Sequence, residues 1–213
     1  MNFLRNHWYD VGAFLAFSVL IYIYNFYSEL TPFQLLMWFS LVSLFFHQLE
    51  EYRIAGTFPG MLNKMVFKSD MPDRYPLNTN TALLINVLVG WLLYFLAAVF
   101  AEKAMWLCIA ALMISFGNII AHTFLFNIKG KTFYNAGLIT CWIFFAPCIY
   151  FFFKITSDTN LISQKDYLIG ITLGVILNIF GVLKLIQWLS NNNTNYIFSQ
   201  RNLLPSDRNI PNP

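Results

Sequence analysis

The sequence predicts an all-α fold: a polytopic helical transmembrane bundle of about six spans, with both termini cytoplasmic. Composition points there first. Of the 213 residues 58% are hydrophobic, 19% aromatic and only 11% charged, whereas a soluble domain carries about 25% charged residues. Patterning is the second observation. The apolar residues come in long blocks rather than in strand-like alternation, and a helix of about 20 residues crosses roughly 30 Å of hydrocarbon. The third is punctuation, since SELTP, AEK, NIKGK and SDTNLISQKD separate the blocks with turn and cap residues.

The first block, 11–27, reads VGAFLAFSVLIYIYNFY and follows Arg5. It ends in bulky aromatic residues instead of a small-residue cleavage site, so it is a retained helix and not a signal peptide. The second, 32–49, opens on Pro32, which suits a first helical turn. The third and fourth, 81–100 and 104–125, are joined by so short a link that they form a tight antiparallel hairpin. The fifth and sixth cover 134–153 and 167–189. Residues 1–189 thus make one transmembrane domain, interrupted by the loop 50–80. The centre of that loop, FPGMLNKMVFK, mixes apolar residues with Lys64 and Lys68. It reads as a short amphipathic helix on the membrane surface or as a lid. The tail 190–213 is polar, Asn-rich and closed by prolines, the composition of a flexible segment.

Lysine and arginine set the orientation. Arg5, Arg53, Lys64, Lys68, Arg74, Lys129, Lys131, Arg201 and Arg208 fall on one side and Lys103, Lys154 and Lys165 on the other, nine against three. The richer side is cytoplasmic, which suits an integral protein of a plasma (inner) membrane. A net charge of +3 with no dense basic block excludes nucleic acid as a partner. Cys108, Cys141 and Cys148 are odd in number and sit in apolar runs, so they build no disulfide framework and read as packing residues.

Against this background the stretch FFHQLEEYR, residues 45–53, stands out. Residues three and four apart share a helix face, so His47 presents with Glu50 and Glu51. The same topology brings Asn86, early in the third span, and Asn118 with His122, late in the fourth, to a similar depth on the cytoplasmic side. Each has a plainer reading. The glutamates could end a span in water, His122 could be a satisfied core histidine, and the asparagines could join helices. Asn178 sits near mid-membrane, Lys184 snorkels to the surface, and His7 is interfacial. Ionisable groups in hydrocarbon are costly, however, and usually face a bundle interior or a cavity.

Two chemistries suit His47, Glu50, Glu51 and His122 as catalytic residues. They supply N and O ligands for a divalent metal, zinc or iron. Without a metal, two adjacent carboxylates in a poorly hydrated pocket act as acid and base, with a histidine as shuttle. Asn86 and Asn118 then orient the substrate or cofactor.

These residues resemble the HXXEE-motif family of small multi-span membrane proteins. His47, Glu50 and Glu51 carry the motif. The resemblance continues through Asn86, through Asn118 with His122, and through Tyr134-Asn135-Ala136-Gly137-Leu138-Ile139-Thr140 followed by Pro147. That last stretch is similar to a tyrosine-asparagine-proline-glycine segment, with Ala136 in place of proline. It covers residues 35–185 and implies an enzymatic histidine–glutamate centre. The reading is a membrane enzyme that hydrolyses or isomerises a lipid or small hydrophobic molecule, with a homo-oligomer left open. The alternative is a proton-coupled transporter or a binding protein for such molecules.

Overall fold

The computed structural model describes residues 2–157, 159 and 161–208. Six helices are long and apolar enough to cross a membrane: α1 (Asn2–Phe26), α2 (Pro32–Ile54), α4 (Thr79–Val99), α5 (Met105–Gly130), α6 (Leu138–Ser157) and α7 (Gln164–Trp188). A short helix, α3 (58–66), lies in the loop between α2 and α4. The chain is an all-α integral membrane protein with multiple spans.

Local chemistry sets the boundaries. Thr31 starts α2 with a capping box: its Oγ1 accepts from Gln34 N at 3.1 Å, and Gln34 Oε1 accepts from Thr31 N at 3.0 Å. Ser163 and Asp166 start α7 in the same way. α1 begins nine residues before the apolar block at 11–27. Its polar first turns have partners: Trp8 and Tyr9 pack on Tyr52, and Asp10 pairs with Arg53 at 3.2 Å. α6 begins four residues later than the block at 134–153, because residues 134–137 form a turn that ends at Gly137 with φ +109°.

α2 is the centre of the bundle. Its span is 61% buried, against 17% for the peripheral α7. α1, α4, α5 and α6 pack around α2, and α7 packs on the outside of α5. That last contact uses Gly170 and Gly174 one turn apart, a small-xxx-small pattern that brings backbones together. A Cβ on Gly170 would stand 2.6 Å from both Trp106 O and Ile109 Cβ. A packed apolar core of residues such as Phe33, Met37, Leu41, Tyr94, Cys108 and Phe145 fills one half of the bundle. Short links close that end, where Thr31 Oγ1 donates to Glu102 Oε1 at 2.6 Å.

The other end gathers the N-terminus, residues 55–78, residues 131–137 and the tail. α3 packs on this end of the bundle. Its Asn63 is fully buried, donates to Pro72 O and Leu77 O, and accepts from Leu77 N. Composition suggests a loose tail, yet residues 194–208 are packed, while 209–213 lie outside the described residues. Phe198 and Leu203 are buried, and Phe198 N donates to Asp73 O at 2.8 Å. Asn202 Nδ2 donates to Tyr52 O and Gly56 O at 3.1 and 2.9 Å. The irregular backbone of the loop needs partners, and the amides of the tail supply them.

Gly170→Val should lower the stability of the bundle by about 1–3 kcal/mol through overpacking against backbone. Gly181→Ala, whose nearest contacts begin at 3.4 Å, should leave it near wild type. Denaturation in mixed micelles, followed by tryptophan fluorescence, measures both; equal midpoints would contradict close α5–α7 packing.

Candidate functional site: a buried imidazole–carboxylate centre

The centre forms where α2, α5 and α6 lose regular α-helical winding. Widened π-helical turns occupy Glu50–Ile54, Ala121–Leu125 and Cys141–Phe145, and similar turns lie at Leu84–Trp91 and Leu177–Lys184. Such turns re-aim side chains and are frequent at functional sites. Glu50 and Glu51 stand at the start of one such turn and serve different neighbours.

Glu51 turns to the histidines. Its Oε1 lies 3.5 Å from His47 Nε2 and 3.2 Å from His122 Nε2, with all three side chains buried. The two imidazoles meet edge to face with centroids 5.0 Å apart. Glu50 turns to the start of α6. Oε2 accepts from Thr140 N at 2.8 Å and Thr140 Oγ1 at 2.6 Å; Oε1 accepts from Tyr134 OH at 3.1 Å and Ile139 N at 3.4 Å. The carboxylate thus satisfies N–H groups that a helix start leaves orphaned, and its charge complements the helix dipole. Of the two adjacent carboxylates, Glu50 thus binds the start of α6, and Glu51 is the one within ion-pair distance of both Nε2 atoms.

Hydrogen bonding assigns the tautomers. Thr140 Oγ1 has one proton, and its shortest contact is the Glu50 carboxylate. A hydroxyl that donates there must accept from His47 Nδ1, 2.9 Å away. Asn135 Nδ2 donates to His122 O at 2.7 Å and Asn127 Oδ1 at 2.8 Å, so Asn135 Oδ1 is the acceptor facing His122 Nδ1 at 2.6 Å. Both rings therefore carry a proton on Nδ1. Both Nε2 atoms are buried and without a hydrogen-bond partner among the described residues. Neither reaches Glu51 Oε1 in hydrogen-bond alignment. Two imidazole nitrogens and a carboxylate in one dry volume call for a positive charge among them, a proton on an imidazole or a bound cation, and this donor set fits a divalent metal.

Ligand atoms of His47, His122 and Cys141 also lie within 4.8 Å of one another, a cluster able to coordinate a metal. Cys141 Sγ approaches His47 from the Nδ1 side, at 3.8 Å, where Thr140 already holds that nitrogen. Glu51 lies near this cluster, on the Nε2 side of both rings.

Gly137 makes this packing possible. A Cβ there would overlap His122 Cε1 and stand 2.9 Å from His47 Cε1, and its positive φ disfavours any side chain. Phe58, from α3, stacks on His122 at 5.8 Å and closes the site from the loop end.

A cavity of about 240 Å³ runs from His47 and Glu51 between α2, α4, α5 and α7. Asn86, Asn118 and Asn178 line it, so all three reach the cavity but none touches the imidazoles. Asn86 Oδ1 accepts from Gln48 Nε2 at 3.0 Å, and Gln48 Oε1 accepts from Trp91 Nε1 at 2.7 Å. Asn118 Nδ2 donates to Ile114 O at 3.0 Å, and Asn178 Nδ2 to Met113 O at 3.1 Å. Lys184 bonds Gln187 at the exposed surface, and His7 bonds Asp10. Sequence reasoning gave no role to Gln48, Asn135, Thr140 or Cys141. Thr140 and Asn135 stand in the quoted 134–140 stretch, and Gln48 inside FFHQLEEYR, so their positions were the available signal.

A multi-span helical protein with a buried imidazole–carboxylate centre beside an apolar cavity is the class that fold and site define. The chain belongs to the family described as "Protein of unknown function with HXXEE motif", whose model matches residues 38–152. No curated protein and no solved structure matches it.

Gly137→Ala should displace both imidazoles and lower the thermal midpoint, with a cost of about 1–3 kcal/mol; an unchanged midpoint would contradict the packing. Burial, and then the charge of Glu50, pushes the Tyr134 phenol up to about 12. The protonated phenol is the form that donates to Glu50. Its contribution is full below the ordinary tyrosine value, about 10, and is lost as pH rises through about 12. Ultraviolet titration of wild type against Tyr134→Phe should show one tyrosine ionising late.

Proposed function

We propose that the protein is a membrane-embedded, metal-dependent enzyme that hydrolyses or isomerises a lipid or small hydrophobic molecule. The observation that carries the reading is the convergence of two buried Nε2 atoms, neither with a hydrogen-bond partner among the described residues, on a buried carboxylate. His47, His122 and Glu51 would hold a divalent metal, zinc or iron, with Cys141 beside them. Bound there, the metal supplies Lewis-acid polarisation of a substrate oxygen or of water.

The remaining residues prepare the site. Glu50, through Thr140, keeps the proton of His47 on Nδ1; Asn135 does the same for His122. Such outer partners raise ligand basicity and fix ring orientation. Gln48, Asn86 and Asn118 orient a substrate polar group in the cavity. Phe58 excludes water from the loop end. The charge bias supports a site under the cytoplasmic leaflet of a plasma (inner) membrane. Catalysis is favoured over transport by the packed core between the cavity and the far end of the bundle, which fits access from one side.

Protein purified without chelators should carry stoichiometric metal by elemental analysis. His47→Ala, His122→Ala and Glu51→Gln should lose most of it. Asn135→Ala and Thr140→Val should weaken binding about 10–100-fold, while Cys141→Ser keeps it. Turnover of a membrane lipid extract should disappear with the first three variants. Metal-free wild type, or wild-type turnover in Glu51→Gln, would refute the reading.

A further inference from the structure

We infer that the cavity takes a single-chain amphiphile, one acyl or prenyl chain with a hydroxyl-bearing head, entering from the bilayer between α4 and α7. The inference rests on the enzyme reading for its relevance to catalysis, but its geometry stands separately.

The cavity wall is polar in one patch and apolar elsewhere. The patch carries His47, Gln48, Glu51, Asn86 and Asn118; Leu44, Leu93 and Ile114 are among the aliphatic residues that wall the core side. The amide of Asn118 is turned onto Ile114 O, which leaves its Oδ1 as an acceptor on the wall. With the Glu51 carboxylate nearby, the polar patch favours a head that donates hydrogen bonds. The rest of the wall is mostly aliphatic and aromatic, so it favours hydrocarbon.

Size narrows the class. A cavity of about 240 Å³ lies below the roughly 300–1,000 Å³ of pockets that enclose a drug-sized ligand. One chain segment fits, whereas two chains or a fused-ring sterol do not. The rest of a longer chain must leave through a wall. Ile179 and Leu183 border the cavity and are also 41% and 45% exposed, which puts its rim on the lipid-facing side of α7. The facing contact is thin, since a Cβ on Gly181 would meet Val89 Cγ1 only at 3.5 Å.

Gly90 supplies the means of testing this. It lines the cavity, and a Cβ there would meet Gln48 Nε2 and Leu44 Cδ2 at 3.5 and 3.6 Å. Unlike Gly170, it has no neighbour that forbids a side chain. A leucine at that position would fill ligand space rather than disturb helix packing.

The experiment uses the full chain in phospholipid nanodiscs and a long-chain alcohol bearing a diazirine near its methyl end. After irradiation, digestion and mass spectrometry, labelling should be saturable at the inward-facing Leu93 and Ile114 and competed by unlabelled alcohol. Labelling at the lipid-facing Leu88 and Leu92 should be neither. Gly90→Leu should cut the inner labelling roughly tenfold while metal content stays at the wild-type level. The inference is overturned if label appears only at Leu88 and Leu92, or if Gly90→Leu leaves the inner labelling intact. It is equally overturned if a diazirine sterol saturates the inner positions as well as the alcohol does. Should Gly90→Leu not fold, competition on wild type decides. Inner labelling in a wild type that holds no metal supports the inference and refutes the metal centre alone.

Discussion

The structure turns on the control of two imidazole protons. Thr140 holds Nδ1–H of His47 and Asn135 holds Nδ1–H of His122, so both Nε2 atoms face the Glu51 carboxylate. Everything around the centre serves that arrangement. Glu50 makes Thr140 an acceptor toward His47 by taking its hydroxyl proton. Asn127 and the His122 carbonyl fix the amide orientation of Asn135. Gly137 leaves the space in which the two rings meet.

Such a centre is costly to bury. The effective penalty for an ion in a protein interior is several kcal/mol, and unpaired lone pairs add to it. The two glutamates meet this cost differently. Glu50 is surrounded by four N–H and O–H donors and is a structural anion, joining α2 to the start of α6. Glu51 has no donor in hydrogen-bond alignment among the described residues and faces two imidazole Nε2 atoms. A carboxylate of that second kind is stable only with a cation, which is why the two adjacent residues belong to different parts of the chemistry.

Much of this was legible in the sequence. Six apolar blocks became six membrane-length helices, and His47, Glu51 and His122 met as their shared depth implied. What the sequence hid came from docking and closeness. Helical spacing puts Glu50 and Glu51 on either flank of His47, and which flank meets α6 and which meets His122 depends on how those helices dock on α2. Cys141 read as packing because its run is apolar, and its place near His47 depends on how α6 docks on α2. α1 starts before the apolar block because the polar residues ahead of it have partners, His7 on Asp10 and Asp10 on Arg53. The order of the tail follows from long-range amide bonds between Asn202 and the loop, which local composition does not encode.

The most direct test is nitrogen NMR of the protein labelled at histidine and reconstituted in nanodiscs. Shifts of the ring nitrogens distinguish a protonated from an unprotonated Nδ1 or Nε2. The account requires His47 and His122 to be Nδ1–H tautomers with unprotonated Nε2, and both Nε2 resonances to move together when zinc is added. Rings protonated on Nε2, or Nε2 signals indifferent to zinc, would contradict it.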